Sequence, residues 1–224
     1  MQGCAVCDRA TANPFCTDCE RQILQQTSYH SPSLNQASGN LRISALGSYG
    51  GSLKRAILAM KYSDRPDVAR PLGAALAQHW LSQQTTQLAS HHLYAIPIPL
   101  HAGRQKSRGY NQAELIANSF CRVSRMPLLA DGLVRSKATK PQHELGLAAR
   151  QQNLDQVFDV GASLHKIARR LQQSNKEQKQ ERKVGVWLVD DIYTTGATAQ
   201  SAVQTLEQAG ITVLGMATVA RAAR

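Results

Sequence analysis

Apolar positions along the chain switch between two periods. Leu53, Ile57 and Met60 recur at helical spacing, and Lys54 and Lys61, seven apart, fall on nearly the same side of that helix. A second helix is expected across 70–83, where Leu72, Leu76 and Trp80 recur every four residues. L-Y-A-I-P-I-P-L, 93–100, reads as a strand that stops at its prolines, because proline cannot continue a central ladder. A basic, glycine-bearing stretch follows, and a helix resumes at about 111–121. Apolar-rich 128–134 suggests another strand, and 135–153 is polar. The last third predicts strand 184–190, a loop, helix 197–209, a turn at Gly210 and strand 211–219. Strands alternating with helices predict an α/β sheet with right-handed crossovers, in which ligands sit beyond the carboxyl ends of the strands.

Before residue 41 the pattern changes. Residues 1–27 hold four of the five cysteines, and 28–40 are polar with Pro and Gly, as in a linker. The spacing Cys4-x-x-Cys7, eight residues, Cys16-x-x-Cys19 suits a tetrahedral thiolate site, since each short turn aims two sulfurs at one cation. A redox dithiol and two disulfides compete with that reading. A reducing cytosol disfavours disulfides, and a redox motif needs only one pair within a βαβ unit. Structural zinc is the reading carried forward, with no coordination position left open for catalysis. Cys121 lies on an amphipathic helix and is expected in the core.

Composition narrows the company this chain keeps. With 224 residues, 42% of them apolar, it can bury a sizeable core. A net charge of +11 and a pI near 9.8 point to polyanions: nucleotide phosphates, pyrophosphate or nucleic acid. Aromatics at 5% leave few stacking platforms for bases. No apolar run approaches the roughly 20 residues that cross a bilayer, and Met1-Gln2-Gly3-Cys4 begins no signal peptide, so the expected location is the cytoplasm.

Charge is concentrated in 162–183, which holds seven Lys/Arg against two Glu, a net of +5. Leu164, Ile167, Ala168 and Leu171 form one helical stripe there, with the basic residues largely off it. Such a segment is either a solvated helix face or a docking surface for a nucleic acid backbone. Arg169, Arg170, Lys176 and Lys179 are the candidates for the second role.

Chemistry is densest at 186–202. An apolar run ends in Asp190-Asp191, followed by Thr194, Thr195, Gly196, Ala197 and Thr198 at the start of a helix. Unpaired N–H groups and the positive end of a helix dipole converge there, Gly196 allows close backbone approach, and three threonine hydroxyls add donors. That loop fits a dianionic phosphate. The two carboxylates cannot bind phosphate but accept hydrogen bonds from vicinal hydroxyls. Phosphate on one side and a cis-diol on the other describe a ribose 5-phosphate.

This stretch resembles the 5-phosphoribosyl-1-pyrophosphate (PRPP) signature of type I phosphoribosyltransferases, with Tyr193 and Ala197 departing from the usual pattern. Together with I-P-I-P-L-H-A-G-R-Q-K-S-R-G-Y-N-Q-A-E-L-I-A (96–117), T-K-P-Q-H-E-L-G-L-A-A-R-Q-Q-N-L (139–154) and the four cysteines, the chain resembles the ComF/GntX family. The likeness spans essentially the whole chain, except that 162–183 is longer than the family usually carries. It implies a type I phosphoribosyltransferase-like parallel sheet flanked by helices over 41–224, behind a small zinc-binding module. It also implies Asp190 and Asp191 at the ribose hydroxyls, Thr194 to Thr198 at the 5-phosphate, and magnesium accompanying PRPP. Pyrophosphate would lie on Leu100, His101, Ala102, Gly103 and Arg104. A basic loop over 135–150 offers Lys137, Lys140 and Arg150, and Arg108 and Gln112 are further pocket candidates. The family is associated with uptake and use of external DNA, which makes single-stranded DNA and other DNA-uptake proteins the expected partners. Whether PRPP is turned over stays open at this point. The alternative is a salvage transferase that moves ribose 5-phosphate onto a nucleobase-like acceptor.

Overall fold

The computed structural model describes residues 3–29, 35–36, 41–83, 91–135, 157–178 and 183–222. In chain order the elements are α1 (Thr17–Tyr29), β1 (Asn35–Gln36), β2 (Arg42–Ser48), α2 (Gly51–Tyr62) and α3 (Ala69–Ser82). Then come β3 (His91–Pro97), α4 (Ala102–Arg108), α5 (Gln112–Ser124), β4 (Leu133–Arg135) and β5 (Phe158–Val160). Last are α6 (Ala162–Gln178), β6 (Lys183–Tyr193), α7 (Ala197–Gln208) and β7 (Thr212–Arg221).

One sheet orders its strands β1-β2-β7-β6-β3, with β2, β7, β6 and β3 mutually parallel and β1 antiparallel at the edge. This is the helix-flanked parallel sheet that the alternating pattern predicts. Strand β6 is its axis. Along it Trp187 and Val189 join one buried cluster with Leu46, Ala217 and Val219, against α2, α3 and α5. Val186 and Leu188 join the other, with Ile43, Ile96 and Met216, against α6 and α7. Both faces are covered, so the strand reads as a continuous apolar run rather than an alternation. Trp187 is fully buried and meets Trp80 edge-on, with ring centroids 5.4 Å apart. Its indole lies on Gly215 of β7, where a Cβ would come within 2.7 Å of the ring. The β6–β7 register shifts at that point, from Val186↔Val213 to Trp187↔Gly215.

Several elements differ from the sequence expectation. Strand β2 carries little sequence signal, because Arg42–Ser48 alternates weakly and holds three small polar or glycine positions, Ser44, Gly47 and Ser48. The expected strand at 128–134 is divided. Leu128 bridges Ala95 in parallel, then the chain turns and β4 leaves the sheet to pair antiparallel with β5. The basic stretch after the I-P-I-P strand contains the short helix α4, capped by His101, whose Nδ1 accepts from the Gly103 N–H at 3.1 Å. Helix α6 shows the expected stripe: Leu164 is buried and Ile167, Ala168 and Leu171 pack beside it, while Lys166, Arg169 and Arg170 are exposed.

Helices α3 and α5 cross closely at Gly73. A Cβ there would lie 2.5 Å from the Ile116 carbonyl oxygen and 2.7 Å from Ser119 Cβ, and the Ser119 hydroxyl donates to the Arg70 carbonyl at 2.6 Å. Gly73→Ala should therefore destabilise the protein by about 1–3 kcal/mol through overpacking, despite alanine's better helix propensity. Urea denaturation checks this. An unchanged or raised midpoint would show that the helices can separate without cost.

Candidate functional site

Strand β6 outruns its neighbour. Pro97, the last residue of β3, pairs with Val189, and the Ile98 N–H still donates to the Val189 carbonyl at 2.9 Å. Asp190 to Tyr193 extend past that point with only β7 beside them, where Thr218 lies opposite Asp190 and Arg221 opposite Tyr193. The acidic pair thus stands at the carboxyl edge of the sheet, where one flanking strand has ended.

The two carboxylates are held differently. Asp190 Oδ1 accepts from the Asp191 N–H at 2.8 Å. Asp191 is buried, and its two oxygens accept from Lys61 Nζ of α2 at 2.9 and 2.8 Å. Burial, reinforced by the neighbouring Asp191 charge, pushes the Asp190 carboxyl up to about 8 against the pull of the Asp191 amide and Lys61.

Beyond Tyr193 the chain makes the expected strand–loop–helix. Gly196 caps α7 with φ +85°, and the Gln200 N–H donates back to the Gly196 carbonyl at 2.8 Å. A side chain at Gly196 would strike the Tyr193 hydroxyl, so this residue is glycine for steric as well as backbone reasons. Tyr193 is buried beneath the loop, under the Arg221 guanidinium at 5.7 Å from the ring centroid. Thr194, Thr195, Ala197 and Thr198 are exposed, and the Thr195 hydroxyl accepts from the Ala197 N–H at 3.4 Å. The departures at Tyr193 and Ala197 have separate consequences: one supports the loop, the other opens onto solvent.

Leu100 to Arg104 run from the end of β3 into α4, beside this edge. Asn111 fastens that turn, donating to the Ile98 carbonyl at 3.1 Å and accepting from the Ala113 N–H at 3.1 Å to cap α5. Arg108 donates to Gln112 Oε1 at 3.0 Å and stacks on the exposed Tyr62, 5.3 Å from the centroid. Gln112 is buried, and its Nε2 has no partner among the described residues. Arg135, which sequence reasoning did not single out, stacks on Phe158 at 5.6 Å, and burial together with nearby Arg104 disfavours its charge. Lys137, Lys140, Arg150 and Lys179 lie outside the described residues, as does the side chain of Lys176. Sequence reasoning also did not reach Lys61–Asp191, whose partners are 130 positions apart, or Asn111. A lysine in an amphipathic helix carries no signal of a distant carboxylate.

At the amino terminus the four cysteine sulfurs lie within 4.8 Å of one another. Tetrahedral Zn–S bonds of about 2.3 Å imply S···S edges of about 3.8 Å, and Cys7 and Cys16 are 3.7 Å apart. That is far beyond the about 2.05 Å of a disulfide. Burial pushes the Cys4 thiol up, but the backbone amides of Cys16, Val6 and Cys7 outweigh it and bring the group down to about 6. Burial and the neighbouring sulfurs push Cys19 up. The set can hold a metal ion such as zinc. Val6, Phe15 and Ile23 of this head share the cluster of Leu53, Ile57 and Leu72. Polar ties add to it: Arg65 donates to the Gly3 carbonyl and Ser52 to Gln22.

The Asp190 position has a consequence for stability. Its carboxyl sits near 8 in the fold and at the ordinary 3.8 when unfolded, so the unfolded state alone loses the proton between these values. The stability that Asp190 contributes is full below about pH 4 and is lost as pH rises towards about 8. Asp190→Asn keeps the acceptor for the Asp191 N–H and removes this loss. Its melting temperature should match the parent near pH 4 and exceed it by a growing margin up to pH 8. A margin that is constant with pH in thermal melts would contradict this.

No protein-family model matches the chain. Comparison with curated proteins finds competence protein F of Haemophilus influenzae, 27% identical over 220 residues, covering 98% of this chain and 90% of that protein. The DNA utilization protein YhgH of Escherichia coli K12 is 26% identical over 213 residues, covering 92% and 85%. Competence protein ComFC of Bacillus subtilis is 30% identical over 120 residues, covering 53% and 40%. Similarity to competence protein F spans 98% of this chain, and with the clustered cysteines it supports the likeness to the ComF family.

Proposed function

We propose that this protein binds PRPP at the carboxyl edge of its sheet and acts in the uptake and use of external DNA, handling single-stranded DNA in the cytoplasm. The observation that carries the ligand is the stretch Asp190–Thr198: two oriented carboxylates at a strand end, then a glycine-capped, threonine-lined helix start. Carboxylates suit the ribose diol, and the helix start suits the 5-phosphate. Magnesium would arrive with PRPP as its pyrophosphate counter-ion. The process is suggested by relatives named competence protein and DNA utilization protein. The charge of +11 and the exposed Arg169 and Arg170 suit a phosphate backbone.

Calorimetry with PRPP and Mg²⁺ tests the ligand. Replacing Asp190 and Asp191 together by Asn should weaken binding about 10- to 100-fold, the loss of about one hydrogen bond to a charged carboxylate at about 1.5–3 kcal/mol. Unchanged affinity would remove the acidic pair from the site. In the same preparations, single-stranded DNA should bind with an affinity that falls steeply with salt, by about 0.7 log units per log unit of salt for each neutralised phosphate. Arg169→Gln with Arg170→Gln should flatten that slope. Pyrophosphate release that needs a nucleobase, with no DNA binding at low salt, would favour a salvage transferase instead.

Cys4, Cys7, Cys16 and Cys19 are proposed to hold one structural zinc. Protein purified without chelator should carry about one zinc per chain, and Cys7→Ser or Cys16→Ser should lose it. Because the head shares its core with α2 and α3, stripping the metal should lower the main melting transition as well. Metal analysis showing no zinc beside intact thiols would contradict the assignment.

A further inference from the structure

The last turn of α2 presents three consecutive residues to three parts of the candidate site. The Met60 carbonyl accepts from the Tyr110 hydroxyl at 2.5 Å, Lys61 grips both oxygens of Asp191, and the Tyr62 ring carries Arg108. Among the described ion pairs, Lys61–Asp191 is the most deeply placed, with side chains 18% and 10% exposed; in the others at least one partner is 37% exposed or more. A buried pair of this kind adds little net stability over apolar packing, because desolvation offsets the attraction. What it does supply is orientation. A lysine on a flexible stem held at 2.8 and 2.9 Å from the two oxygens fixes the carboxylate plane, while Asp190 is fixed by the Asp191 amide. Two acceptors locked by different partners are what a rigid cis-diol requires.

We infer that Lys61 is a positioning residue of the ribose site, orienting the Asp191 carboxylate beside Asp190. This rests on the PRPP reading above. The charged groups acting on Asp190 are Asp191 on its own strand and Lys61 from α2, while β7 brings the uncharged Thr218 opposite it and β3 has ended at Pro97. Removing Lys61 therefore leaves the Asp191 amide as the one group that draws the Asp190 carboxyl down, and the titration of Asp190 moves to higher pH.

The test uses two probes on the full chain, ribose 5-phosphate and inorganic phosphate, across a pH series. Lys61→Met should weaken ribose 5-phosphate by about tenfold, as for one charge-assisted contact, and leave inorganic phosphate unchanged. The midpoint of the pH dependence of ribose 5-phosphate binding should move up. Lys61→Arg, which keeps the charge, should retain the parental midpoint. Where Lys61→Met does not fold, Lys61→Gln takes its place as the neutral variant. A parental affinity and midpoint in the neutral variant would overturn the role of Lys61 alone. If the parent binds inorganic phosphate but gains nothing from the ribose, the diol reading falls, and the positioning role falls with it. If the parent binds neither probe, the PRPP reading itself fails.

Discussion

A strand buried on both faces can carry charge only where its neighbours stop. That constraint on β6 organises the rest of the molecule. Between Val184 and Val189 every residue is buried, shared between two apolar clusters, with Trp187 needing Gly215 opposite it to fit at all. Polar function is thereby displaced to the four residues beyond the end of β3, where Asp190 and Asp191 stand. Placing the threonine loop directly after them puts a helix N-terminus and two carboxylates at the same edge, on one continuous piece of chain. Such an edge is where parallel sheets of this kind present their ligand sites.

The electrostatics of that edge work against the fold and for the site. Burial disfavours the Asp190 charge, the Asp191 charge beside it adds to this, and Asp190 holds its proton well above the ordinary range. Lys61 offsets part of the cost from across the domain. Groups kept in an unfavourable environment in the unliganded protein are characteristic of sites built for a ligand rather than for stability. The basic surface lies elsewhere: Arg169 and Arg170 project from α6, whose apolar stripe packs on the sheet face opposite the one that receives the cysteine head. The threonine loop and the exposed arginines of α6 can therefore be altered separately.

What the sequence made legible was local. The cysteine spacing, the Asp-Asp–threonine run and the α6 stripe each lie within about twenty residues and follow from turn, cap or periodicity, and the structure has clustered sulfurs, a strand–loop–helix and a packed stripe at these places. What it left out was assembled from afar or hidden by weak periodicity. Strand β2 alternates too loosely to stand out, and β4 and β5 are three residues each, defined only by pairing with one another. Helix α4 was obscured by its glycine and run of basic residues, and its cap is a histidine rather than one of the usual small polar residues. The partnership of Lys61 with Asp191 and the fastening of the I-P-I-P turn by Asn111 depend on tertiary placement that periodicity does not encode.

Amide chemical-shift mapping of isotopically labelled protein during titration with PRPP and Mg²⁺ reads out the proposed ribose-phosphate site at Asp190–Thr198. The largest saturable shifts should fall on the amides of Asp191 and of Thr195 to Thr198, with Lys61 following and the exposed face of α6 unmoved. Saturable shifts confined to α6 or to the cysteine head, with the β6–α7 loop silent, would contradict that assignment.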